Sequence, residues 1–97
     1  AGPLTLRLRF PPQYEVPAHT HPAIEHITVL DGLLNVGMGE KLDRAASTPI
    51  GEDGFVVMPV GHSHFVWTGD AGAELQLHSM GPWGITYLDP EDDPRLN

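Results

Sequence analysis

The chain contains no cysteine. Disulfides and thiolate metal sites are both excluded. Cations are scarce: five Lys and Arg stand against thirteen Asp and Glu, a formal charge of -8. That balance argues against nucleic acid and anionic membranes as partners and favours solubility. No apolar run approaches the length of a membrane span. No export leader is visible, so the cytoplasm is the default compartment, or the periplasm where a leader has been removed. Room for helices is also short, because ten prolines and eleven glycines punctuate 97 residues. Such a composition suits many short strands joined by turns.

Ninety-seven residues are enough for one domain, with a modest core that a bound metal or self-association would help. Leu4 to Phe10 alternates without a break, Leu4, Leu6, Leu8 and Phe10 on one side and Thr5, Arg7 and Arg9 on the other. Further strands are expected at Tyr14 to Val16, closed by Pro17, and at Ile24 to Leu30. Asp31-Gly32 is a hairpin turn signal, and Leu33 to Met38 reads as the returning partner. Lys41 to Ala46 fits one helical turn and Thr48 to Ile50 a short strand; neither is assigned. Phe55 to Pro59 reads as a buried strand, followed by strands at His64 to Trp67, Glu74 to Met80 and Ile85 to Leu88. An acidic, Pro-rich tail from about residue 89 to 97 is expected on the surface. About eight strands at short spacing predict an all-β antiparallel sandwich or barrel.

The chemistry concentrates in HTHPAIE, residues 19 to 25. Strand residues two apart share a face, so His19 and His21 project together. Glu25 has the same parity, although Pro22 can bend the chain between them. Two imidazoles and a carboxylate are ligands for a divalent first-row metal. PVGHSH, residues 59 to 64, supplies another candidate in His64, while His62 on the turn is expected to be exposed. A single histidine in a strand is ordinarily structural or solvated. Four such groups together are costly to bury without a partner, and a metal is the natural one.

These stretches resemble the two signatures of the cupin superfamily. The first runs HxH, three or four residues, E, six residues, G; His19, His21, Glu25 and Gly32 fit every spacing. The second runs G, five residues, PxGxxH, three residues, N. Pro59, Gly61 and His64 match it, but Asp53 stands where the glycine belongs, with Gly54 one residue late, and Thr68 replaces the asparagine. Both departures concern turn geometry rather than ligands. The resemblance implies a small double-stranded β-helix (jelly-roll) barrel filling the chain, 1 to 97. It implies one divalent metal (Fe, Mn, Ni or Zn) held by His19, His21, Glu25 and His64. TVLDGLLNVGMGEK and GPWGITYLDPEDDPR also look like segments of small single-domain bacterial cupins.

Around an octahedral ion that ligand set leaves positions open. A metal-dependent enzyme on a small organic molecule is therefore expected, with dioxygenase-like oxidation favoured over isomerase or lyase chemistry. The alternative is a non-catalytic module that binds or senses a metal or metabolite. A third reading makes the metal purely structural. Val36, Phe55, Val57, Val66 and Met80 are candidate apolar wall residues, each also a plain core residue by type. His78 is a weak acid/base candidate whose strand face is not fixed by parity. His26 should face away from the metal, and Trp67 and Trp83 should pack a core or an interface. Arg7 and Arg9 read as solvated. The alternating first strand and cupin habit make a homodimer the expected assembly.

Overall fold

In a computed structural model, which describes residues 2–94, eight strands form a curled antiparallel sheet and no α-helix occurs among the described residues. The strands are β1 (Pro3–Phe10), β2 (Glu15–Thr20), β3 (Glu25–Met38), β4 (Ser47–Gly51), β5 (Phe55–Met58), β6 (His64–Trp67), β7 (Ala73–Met80) and β8 (Thr86–Tyr87). The order β1-β7-β3-β6-β2-β8 runs through the sheet, and β4 and β5 both pair with β3.

The 14-residue β3 organises the barrel. Its first half lies between β7 and β5, and its second half lies between β6 and β4. One strand thus belongs to two facing sheets, and the register to β7 shifts between Val29 and Asp31 where it passes from one to the other. The hairpin expected at Asp31-Gly32 is therefore not a hairpin but this corner. Gly32 has φ +79, and a Cβ there would stand 2.0 Å from the Gly72 carbonyl oxygen. Only glycine allows both the left-handed backbone and that approach.

Pro17 does not close the second strand either. The β2–β6 register shifts between Val16 and His19, and Pro17 sits within that irregularity, where its missing N–H costs no ladder bond. Of the two unassigned segments, the first contains a 3-10 turn at Arg44–Ala46 and the second lies in β4. β5 departs from expectation differently. Phe55 and Val57 face outward and are exposed, and only Met58 is fully buried.

The core lies between the sheets. Ile27, Val29, Leu34, Val36, Val66, Leu75 and Leu77 are buried there, with Leu4, Leu6, Leu8 and Phe10 of β1 packed against them. The alternation read in β1 and β7 is thus the half-buried face it predicts. In the acidic tail, Asp89 caps a second 3-10 turn (Pro90–Asp92) through its side chain. Residues 89 to 92 are exposed, Asp93 is buried, and residues 95 to 97 lie outside the described residues.

Candidate metal centre

Antiparallel pairing of β2 with β6 sets His19 directly opposite His64. His21 follows two residues after His19, on the same side. The PVGHSH turn is pinned to this motif, because the Gly61 N–H donates to the His21 carbonyl (3.4 Å). Gly61 takes φ +72, the conformation that makes glycine the fitting residue there. The three rings converge, with centroids 4.7 Å apart for His19–His21, 4.3 Å for His19–His64 and 5.1 Å for His21–His64. One nitrogen from each lies within 4.8 Å of the others, and all three residues are buried.

The hydrogen bonds fix which nitrogen is available. His19 Nδ1 meets the Pro17 carbonyl at 2.6 Å, His21 Nδ1 meets that of Gly84 at 2.6 Å, and His64 Nδ1 meets that of His62 at 3.3 Å. A carbonyl only accepts, so each Nδ1 carries the proton and each Nε2 is left with its lone pair. This is how proteins orient metal-binding imidazoles. Burial, with a smaller contribution from His21, holds His19 down at about 4; burial and the two neighbouring histidines hold His64 down at about 3. Both rings are therefore neutral, as a metal requires. The donor set fits a divalent transition metal.

Glu25, the first residue of β3, is 1% exposed and lines the same cavity. It stands beside the three-nitrogen cluster rather than within it. Its Oε2 accepts from the Trp83 indole N–H (2.8 Å) and lies 3.3 Å from His21 Nδ1. Burial pushes its carboxyl pKa up, against the opposing pull of His21 and the Trp83 hydrogen bond.

These groups occupy one wall of a cavity of about 230 Å³. Leu8, Phe10, Val16, Ile27, Leu34, Val66, Leu75 and Leu77 form most of the remainder, and Trp83, Ile85 and Tyr87 complete it from the segment around β8. Of the five wall residues expected, only Val66 lines this cavity. Val36 is core outside it, while Phe55, Val57 and Met80 are exposed. His78 is exposed on the outer face, where its Nδ1 meets Thr5 Oγ1 at 2.9 Å, which removes it as an acid/base group near the centre. His26 and His62 are exposed, and Arg7 and Arg9 engage Gln76 and Glu74 outside the barrel. Trp67 packs outside too, with Arg44 over its ring at 4.2 Å.

Trp83 is the residue whose role went unread. It is 39% exposed, packs on His21 at 5.4 Å and serves the carboxylate. Two glycines and a proline bracketing an aromatic just after a strand were the available signal, but no strand parity connects that segment to the histidines.

No family model matches the chain, and no curated protein matches it. Solved structures do. The polyketide cyclase RemF from Streptomyces resistomycificus is similar at 18% identity and TM-score 0.80, over 96% of this chain and 65% of that one. A double-stranded β-helix protein from Klebsiella pneumoniae is similar at 17% identity and TM-score 0.73, over 89% of this chain and 70% of that one. This chain has the cupin-type double-stranded β-helix fold. An oxalate oxidase is similar at 30% identity and TM-score 0.73, over 89% of this chain and 46% of that one. The cupin-type barrel described here thus spans 65% of the cyclase and under half of the oxidase.

Proposed function

We propose that this cupin-type chain is a metal-dependent enzyme acting on a small organic molecule. The bound ion would be Fe, Mn, Ni or Zn, with His19, His21, Glu25 and His64 as its ligands. The observation that carries this reading is that one nitrogen from each of three buried histidines lies within 4.8 Å of the others in the lining of a cavity large enough for a substrate. A divalent ion held there supplies Lewis acidity or dioxygen activation. Oxidation is favoured ahead of isomerisation or bond-cleaving elimination, and the likeness to an oxidase and a cyclase supports chemistry at such a site.

The chain's own residues would divide the work. Carbonyls of Pro17, Gly84 and His62 hold the imidazoles in the metal-binding tautomer. Trp83 holds the Glu25 carboxylate beside them. The aliphatic walls exclude water, which strengthens every electrostatic interaction inside.

A non-catalytic binding module is the second reading. It is favoured by the scarcity of proton-transfer groups, since beyond the proposed ligands Tyr87 is the one titratable residue in the lining among the described residues. Metal content of freshly purified protein, measured beside His64→Ala, tests the first step. We expect one equivalent of a transition metal, lost in the variant while the fold survives. Turnover of a small-molecule panel that vanishes on chelation and returns with the metal separates enzyme from module. Protein that neither contains nor takes up an ion would sink the enzyme and leave the module only as a binder of a metabolite.

A further inference from the structure

We infer that the cavity selects a mostly hydrocarbon molecule, about the size of one substituted ring, that presents oxygen to the histidine wall, and that it disfavours small hydrophilic anions. The oxygen-binding half of this rests on the proposed metal centre; the apolar half rests on the lining alone. A cavity of 230 Å³ exceeds the about 150 Å³ that suffices for benzene. Opposite the histidines it presents Leu8, Phe10, Ile27, Leu75 and Leu77, none of which can donate a hydrogen bond from its side chain.

Among the described residues, no lysine or arginine lines the space. The nearest arginines along β1, Arg7 and Arg9, point outward and are engaged by Gln76 and Glu74. A small dianion entering here would exchange its hydration for hydrocarbon on every side but one. On that side it would also meet the carboxylate of Glu25. A ring with one or two oxygens makes the opposite exchange, burying its body against the aliphatic wall while its oxygens face the histidines. Trp83, half out in solvent and half lining the cavity, adds an aromatic face at the boundary.

The test compares oxygen-bearing ligands that have an aromatic body with small hydrophilic ones that lack it. Zinc-loaded protein is titrated with catechol and with glycolate by calorimetry, and metal-free protein is titrated with phenol and with acetate. The second titration follows the Trp83 indole N–H resonance, assigned by its loss in Trp83→Phe. Catechol should bind at least about tenfold more tightly than glycolate. Phenol, and not acetate, should move the indole resonance. Ile85→Arg, which brings a cation to the cavity wall, should narrow the catechol–glycolate ratio in protein whose circular dichroism is unchanged. Glycolate binding as tightly as catechol, or an indole resonance indifferent to phenol, would overturn the inference. Failure of zinc to bind would remove the metal reading instead and leave the phenol–acetate comparison to decide this one.

Discussion

At the scale of the residue, Trp83 and Glu25 form the contact on which most hangs. Burial pushes the pKa of this 1% exposed carboxyl up, and His21 and then the indole N–H on Oε2 oppose that rise. Trp83→Phe keeps the aromatic bulk and removes the N–H. Zinc affinity, measured by competition with a chelator, should fall about ten- to a hundredfold, the usual cost of losing a group that orients a metal ligand. Unchanged affinity would mean that Glu25 does not serve the ion. Asp53 gives a second expectation. It stands where the cupin signature has glycine and takes φ +68, a region that costs a side-chain-bearing residue about 1 kcal/mol. Asp53→Gly should therefore raise stability by up to about 1 kcal/mol in urea denaturation, with metal content unaltered. The other departure, Thr68, is fully buried; it accepts from the Tyr14 N–H at 2.9 Å and donates to the Pro11 carbonyl at 2.7 Å. It serves as a tie between loops.

At the scale of the element, β3 matters most, because one strand shared by two sheets closes the barrel. Gly32→Ala should destabilise the protein by at least about 2 kcal/mol, since it combines a positive φ with a Cβ 2.0 Å from a backbone oxygen. A urea midpoint equal to wild type would show that the corner relaxes freely. The same strand marks where sequence reading stops. Alternation in β1 and β7 was legible because period-two patterns report a half-buried face directly. His19, His21 and His64 were legible because motif spacing carries them. Asp31-Gly32 was misread because a positive φ serves a hairpin and a sheet-to-sheet corner equally, and only the partners on either side, β7 before and β6 after, decide which. The outward turn of Phe55 and Val57 and of His78 was hidden for a related reason. Face assignment needs an anchor outside the strand, and neither strand carries one in its own sequence.

For the whole molecule, the buried histidine cluster couples folding to pH. In the unfolded chain His19 and His64 take up protons near 6.5, whereas in the folded metal-free protein they do so at about 4 and about 3. Between those values the unfolded state binds more protons, so stability falls as pH falls. Each histidine contributes a slope of up to about 1.4 kcal/mol per pH unit. Glu25 acts in the opposite sense. Its folded value is raised above 4.5 by burial, so its contribution is present at low pH and is lost as pH rises through the folded value. Two imidazoles oppose one carboxyl, and the net slope between pH 7 and pH 5 should favour the neutral end. The urea midpoint of metal-free protein should therefore drop on going from pH 7 to pH 5, and His64→Gln should flatten the drop by removing one of the two protons. Saturating metal adds stability at pH 7 by binding only the folded chain, about 2.7 kcal/mol at a hundredfold excess over the dissociation constant. Protons on the unfolded His19 and His64 lower the loaded and the metal-free midpoints alike, and the folded rings stay neutral at pH 5, so these two residues leave that increment unchanged down to pH 5. Chelated and loaded protein with the same midpoint at both pH values would show that the histidines carry no ion at all.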